Sequence, residues 1–156
     1  MKIPSPFITL TLLLIFLNAC SALTGEEVAR LPVNKLTIDD SNYRMEKTTL
    51  DLKAGDELAI WSDMDIEYTG EVALRFRLEI LKDGEKFGGI EIDPTDKDVT
   101  LGETKVAIND KTSWSFSGRN SVLTIEEDGE YLFKAILISA GNPSLKIEKA
   151  ELVLKM

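Results

Sequence analysis

Three carboxylates and a tryptophan alternate with apolar residues along LAIWSDMDIEY, residues 58–68. If the even-numbered apolar residues face a core, strict alternation places the odd-numbered ones on the outer face of a strand. The outer set is then Trp61, Asp63, Asp65 and Glu67. An exposed indole beside carboxylates is a surface on which a sugar ring stacks while its hydroxyls donate hydrogen bonds. The pattern predicts a glycan platform at Trp61; the alternative is that the strand ends early and Trp61 packs inward.

The same three carboxylates are the candidates for catalysis. A glycosidase needs two carboxyl groups about 5 to 10 Å apart in a cleft, and alternate residues on one strand lie roughly 7 Å apart. A small sandwich seldom has a cleft deep enough to raise the pKa of a general acid. The chain has no histidine and one cysteine, which excludes Ser-His-Asp and Cys-His nucleophiles and histidine-ligated zinc. We therefore expect a protein that is not an enzyme.

A second acidic stretch, DPTDKD, clusters Asp93, Asp96 and Asp98 around a proline. Carboxylate oxygens are the ligands that calcium prefers. The spacing does not match an EF-hand, because Lys97 stands where an oxygen ligand is needed and the sharp turn lacks glycine. A calcium site and an ordinary solvated loop both remain open, and we expect no other cofactor.

The elements that position these residues are short strands. Beyond Leu36 the hydrophobic period is two, most clearly in VALRFRLEIL, residues 72–81, which indicates strands with one buried face. Asp-Gly pairs at 83–84 and 128–129 predict tight turns. In the last strand the apolar set changes from odd to even positions between Ile147 and Ala150, which predicts a bulge near Glu148 to Lys149. Many short strands without a long amphipathic helix predict one antiparallel β-sandwich over residues 36–156.

Two turn segments, DLKAGDELAIW at 51–61 and TIEEDGEYLF at 124–133, resemble turns of secreted jelly-roll and galactose-binding-like modules. The resemblance implies an all-β, jelly-roll-like sandwich. It transfers no binding residue, because such turns recur in unrelated sandwiches and a fold does not imply a function.

The N-terminus is typical of an export signal. The apolar run FITLTLLLIFL, residues 7–17, is too short to cross a bilayer as a helix. Next come Leu17, Asn18, Ala19 and Cys20, which resemble the lipobox of bacterial lipoproteins. The resemblance implies a signal peptide over residues 1–19, removed before Cys20, and fatty acyl groups on that cysteine. The alternatives are a core cysteine or an ordinary cleaved signal.

Composition limits the partners of the exported chain. The formal net charge is −9 for the full sequence and 17 − 27 = −10 without residues 1–19, which disfavours nucleic acid and anionic lipid surfaces because both attract basic patches. The membrane is therefore expected to be contacted through lipid on Cys20. The polar segment at 20–35 predicts a flexible tether with a reach of about 50 Å. Because Ser21 rather than aspartate follows the cysteine, the chain resembles lipoproteins sorted to the outer membrane.

These features predict a lipid-anchored envelope protein that acts as a non-enzymatic binding module for a glycan or small ligand. The alternative is a protein-protein interaction subunit of an envelope complex, or an inhibitor or immunity-type lipoprotein. An exposed Trp61 beside a groove would favour the glycan, whereas a flat acidic face or a bare edge strand would favour a protein partner.

Overall fold

The structure is a computed structural model that describes residues 24–156. The predicted signal peptide at 1–19 and the lipidation site Cys20 lie outside the described residues. A short 3₁₀ helix covers Asp40–Asn42. The strands are β1 (Glu27–Leu31), β2 (Glu46–Leu52), β3 (Glu57–Thr69), β4 (Leu74–Lys82), β5 (Glu85–Ile92), β6 (Val99–Ile108), β7 (Lys111–Thr124), β8 (Gly129–Ser139) and β9 (Lys146–Lys155). Within residues 24–156, no helix has the length and apolar character needed to span a membrane.

The strands form two antiparallel sheets. One sheet has the order β1-β9-β3-β7-β6 and the other has the order β2-β8-β4-β5. Early strands pair antiparallel with late strands in nested order, from the outermost pair to the innermost: β1·β9, β2·β8, β3·β7 and β4·β5. This is the connectivity of a jelly roll, with β6 as an additional edge strand beside β7. The predicted all-β, jelly-roll-like sandwich is confirmed.

The core lies between the sheets and follows the period of two. Along β4, Leu74, Phe76, Leu78 and Ile80 are buried. Alternate residues of β8 from Tyr131 to Leu137 are buried in the same cluster. Each large apolar side chain that is fully buried contributes roughly 1.5 to 3 kcal/mol. The residues that stabilise the sandwich are therefore the ones that the alternation of apolar and polar residues in the sequence identifies.

Of the two predicted Asp-Gly turns and the predicted bulge, one turn and the bulge are confirmed and the other turn is wrong. Asp83 and Gly84 have φ of 50° and 84°, which suits the two-residue turn between β4 and β5. In the strand pairing, Asp65 lies opposite Lys149 and Ile66 opposite Ile147, so the predicted bulge is confirmed. The predicted turn at 128–129 is wrong, because Gly129 already begins β8 and the preceding residues cross from one sheet to the other.

The sandwich begins earlier in the chain than the sequence predicts. Residues 27–35 were expected to belong to the tether, but β1 pairs with β9, and Leu31 and Val33 are buried. The backbone N–H of Glu26 donates to the carbonyl of Met156 at 2.7 Å, and the Met156 N–H donates back at 2.9 Å. The domain boundary therefore lies before Glu27 and not at residue 36. A five-residue edge strand is too short to show a clear period.

Candidate binding surfaces

Trp61 is buried, so the predicted platform around it is wrong. Its side chain is 1% exposed although it lies outside the central core cluster. The neighbouring strands place Val153 and Arg119 directly opposite it, and Val153 is also buried. The Lys155 ammonium lies 4.4 Å from the centre of the indole ring and interacts with its π face. A sugar ring has no access to this indole.

The acidic row lies on the outer face of β3, as alternation predicts, but two of its three carboxylates, Asp63 and Glu67, are paired with cations. Asp63 contacts Arg30 at 3.1 Å and Lys149 at 3.4 Å. Glu67 contacts Lys111 at 2.6 Å and Lys146 at 3.5 Å. The hydrogen bond from Lys111 lowers the pKa of Glu67, whereas a general acid needs a raised pKa. With Asp65 between them, these residues form a flat ladder of opposite charges.

Arg30 is the centre of the charge network on this face. Its guanidinium contacts Glu27 at 2.7 Å, Glu151 at 2.5 Å and Asp63 at 3.1 Å. These carboxylates belong to β1, β9 and β3, so one side chain links three strands. The hydrogen bond to Glu27 is the main cause that raises the pKa of Arg30 and lowers the pKa of Glu27.

Acid should weaken this network. The folded-state pKa of Glu27 is below its ordinary value of 4.5, so its contribution is present above about pH 4.5 and is lost as the pH falls through the folded pKa. We expect the free energy of unfolding, measured in urea, to fall between pH 6 and pH 3. An Arg30→Gln variant should start lower and depend less on pH. A wild-type stability that stays flat or rises over this range would contradict the assignment.

The predicted calcium ligands are held apart by other partners. One Asp93 oxygen accepts hydrogen bonds from the backbone N–H and hydroxyl of Thr95 at 2.9 and 2.7 Å, and the other contacts Arg75 at 2.7 Å. Arg119 holds both oxygens of Asp98 at 2.9 and 2.8 Å and lowers its pKa. In the part of the chain that the structure describes, no three acidic, histidine or cysteine side chains are grouped for a metal. The structure does not bring these carboxylates into a calcium site.

The loop containing these residues is fastened to the sandwich instead. The side-chain amide of Asn120 donates to the carbonyl of Asp93 at 3.1 Å and to that of Asp96 at 2.7 Å. The buried hydroxyl of Ser62 donates to the carbonyl of Pro94 at 3.3 Å. Asp96 thus contributes its backbone, and the loop is a fixed crossing from β5 to β6.

A groove crosses the outer side of the four-stranded sheet. It has a volume of about 440 Å³ and is called the Tyr43 groove below. The Tyr43 side chain is 54% exposed and stands beside the exposed Met45. The remaining lining residues are Arg77, Leu78, Glu79, Lys86, Gly88, Gly89, Ile90, Glu91, Lys134 and Ile136.

Charged groups and bare backbone complete the Tyr43 groove. Arg77 contacts Glu91 at 3.2 Å, and Lys134 contacts Glu79 at 3.4 Å. Gly89 lies directly opposite Glu79, and an added Cβ there would meet only the carbonyl oxygen of Leu78, at 3.6 Å. A flat ligand can therefore approach the strand closely at this glycine.

The sequence interpretation missed the Tyr43 groove. Tyr43 belongs to the irregular segment before β2, and the two glycines belong to β5, so they share no periodic pattern. The available signals were an isolated aromatic residue in a polar loop and a Gly-Gly pair within a strand, which marks a close approach to backbone. Only the pairing of β4 with β5 and β8 brings these parts together.

β6 forms a bare edge of the five-stranded sheet. It is the last strand in the order β1-β9-β3-β7-β6, and all its residues after Val99 are exposed. Val106 is 46% exposed and Ile108 is 66% exposed. Large apolar side chains on an unpaired edge invite pairing with another strand.

Trp114 fixes β6 to the rest of the sheet. Its indole N–H donates to a carboxylate oxygen of Glu103 at 2.7 Å, and the ammonium of Lys105 lies 3.9 Å from the ring centre. Trp114 also packs against the central core. Contacts with Trp114 therefore hold β6 against β7, while the other edge of β6 has no neighbouring strand in the described part of the sheet.

No known protein-family model matches this sequence, and no curated protein matches it. The chemistry of the surfaces described above is therefore the basis for assigning a function. The Tyr43 groove combines an aromatic face with charged hydrogen-bonding groups, and the β6 edge offers backbone groups beside apolar side chains.

Proposed function

We propose that this protein is a lipid-anchored bacterial envelope protein that acts as a non-enzymatic binding module, with a glycan or small polar ligand in the Tyr43 groove. The lipobox-like residues 17–20 support the anchor. The half-exposed Tyr43 above an open strip of sheet is the observation that carries the ligand site.

The groove suits a sugar because each of its parts matches one part of a pyranose ring. The apolar face of the ring stacks on an aromatic side chain such as Tyr43. Sugar hydroxyls both donate and accept hydrogen bonds, so they pair with the carboxylates of Glu79 and Glu91 and with the cations of Arg77 and Lys134. Gly89 lets the ring lie close to the strand.

Binding without catalysis fits the arrangement of charges. Glu79 and Glu91 are the carboxylates in the groove, and each is in contact with a cation. A carboxylate that is held against a cation in an open groove is suited to accept hydrogen bonds from the hydroxyl groups of a ligand. The groove is also open to solvent, because Tyr43 and Met45 are exposed.

The Tyr43→Ala variant should bind its glycan at least tenfold more weakly than the wild type, since the stacking surface is lost. Tenfold corresponds to about 1.4 kcal/mol. The wild-type full chain in detergent is screened against a panel of envelope glycans, and the affinity for a hit is measured by calorimetry. Ile38→Ala removes an exposed apolar residue outside the groove and should leave the affinity unchanged. No hit across the panel, or equal affinity for Tyr43→Ala, would reject the glycan site.

The outer membrane is the proposed location, because Ser21 and not aspartate follows Cys20. The proposal covers either face of that membrane.

Protein recognition is the second candidate function, and the bare edge of β6 favours it. An extended segment of a partner adds to such an edge through backbone hydrogen bonds, while side-chain contacts give specificity. This function fits a subunit of an envelope complex or an inhibitory lipoprotein.

A further inference from the structure

The turn that ends β6 determines which backbone groups of this strand are free. Asn109 and Asp110 have φ of 48° and 67°, as in a two-residue type I′ hairpin loop. In such a hairpin the flanking residues, here Ile108 and Lys111, exchange both backbone hydrogen bonds. The pattern then repeats at every second residue along the pair.

Alternate residues of β6 consequently direct their backbone groups to opposite sides. Thr104 and Val106 lie opposite Ser115 and Ser113, in phase with the turn pair, so their N–H and C=O groups point toward β7. Lys105 and Ala107 lie between them and direct their N–H and C=O groups to the unpaired edge. This edge offers donors and acceptors in an order that a second antiparallel strand can meet.

The segment from Thr104 to Ile108 is complementary to itself. When two copies pair antiparallel about a two-fold axis at Val106, the two Val106 side chains meet at the axis and Thr104 lies opposite Ile108. The outward N–H and C=O groups of Lys105 in one copy then form hydrogen bonds with those of Ala107 in the other copy. Both residues direct their backbone groups to the free edge, so the two strands are in a register that allows these bonds. Apolar side chains lie against each other on one face, and no two like charges are directly opposed.

We infer that the β6 edge binds the β6 edge of a second copy of this chain, so that the two five-stranded sheets continue as one. This inference deepens the second candidate function by naming the partner.

Charge at the edge permits a second copy to pair there, although the molecule as a whole is acidic. The chain has a net charge of −9, whereas β6 carries one acid, Glu103, and one base, Lys105. The pairing edge is therefore a neutral strip on an acidic molecule, where two copies can approach with little repulsion. Val106 and Ile108 add apolar area to the contact.

A cysteine at the two-fold axis tests the pairing. Facing residues at a non-hydrogen-bonded position have Cβ atoms about 4.5 to 5.5 Å apart, close enough for a disulfide after a small adjustment. Membranes containing full-chain Val106→Cys are oxidised, and the products are separated without reductant. We expect a band at twice the monomer mass. Val122→Cys, an exposed position on β7, and the wild type, which contains only Cys20, are the controls and should remain monomeric.

A second substitution tests the backbone register. Ala107→Pro removes an N–H that faces the free edge, so it spares the bonds between β6 and β7. Added to Val106→Cys, it should reduce the crosslinked band at least tenfold. Val106→Lys, which puts two like charges at the axis, should convert the detergent-solubilised dimer to a monomer, measured by sedimentation.

Three results would overturn the inference: no more dimer with Val106→Cys than with Val122→Cys, a band that persists with Ala107→Pro, or a wild type that sediments as a monomer. Crosslinking of Val106→Cys to a different protein would also overturn it, while leaving the second candidate function standing. The glycan titration with Tyr43→Ala is independent of all these outcomes.

Discussion

Replacing Cys20 by alanine should move the protein from the membrane to the soluble fraction, or leave it as the unprocessed precursor. Each buried CH₂ of an acyl chain contributes about 0.8 kcal/mol, so two or three chains hold a protein stably whereas one holds it only marginally. The net charge of −9 disfavours electrostatic attraction to anionic lipid in place of the acyl chains. Fractionation with and without detergent, and mass spectrometry of the mature N-terminus, measure the result.

The neighbouring serine supplies a matched control for Cys20. Ser21→Ala removes one hydroxyl at the next position and should leave acylation and membrane attachment intact. A correctly processed Cys20→Ala protein that still needs detergent for extraction would contradict the lipid anchor. So would wild-type material with an unmodified Cys20.

Trp61→Ala should lower the free energy of unfolding by about 3 to 5 kcal/mol, the usual cost of truncating a large buried aromatic residue. Trp61 is 1% exposed, faces the buried Val153 and lies under Lys155. The change leaves a cavity on the outer side of β3 that its neighbours fill only in part. Urea denaturation followed by circular dichroism measures the loss.

A phenylalanine at the same position separates packing from polarity. The indole N–H of Trp61 is buried without a hydrogen-bond partner among the described residues. Trp61→Phe removes this unsatisfied donor and keeps most of the ring, so it should cost less than about 1.5 kcal/mol. If Trp61→Ala lost less than about 1 kcal/mol, the packed environment assigned to this side chain would be wrong.

The fold was predictable wherever one face of a strand is buried. Leu74 to Ile80 alternate cleanly, and the bulge opposite Asp65 and Ile66 was visible as a change of phase in the last strand. β1 was missed because residues 27–31 are too few to show a clear period and form a strand by pairing with β9. Local pattern identifies a face, but it does not show pairing between distant segments.

The candidate sites were harder to predict for the same reason. Alternation correctly placed Trp61 on the outer face of β3, yet its exposure depends on Val153 and Lys155, which lie far away in the sequence. The Tyr43 groove joins a loop residue to glycines of β5, and nothing local connects them. The residue types of Asp93 and Asp98 suit a metal ion, but Arg75 and Arg119, which lie elsewhere in the sequence, contact them instead.

The mutual hydrogen bonds of Glu26 and Met156 fix the point at which the chain enters the sandwich. With the proposed lipid on Cys20, six peptide units separate the anchor from Glu26, a span of at most about 22 Å. The domain would then lie close to the lipid headgroups. A long polymeric ligand would therefore be bound near the surface of the bilayer. A reporter fused after Met156 would emerge at this same membrane-proximal pole.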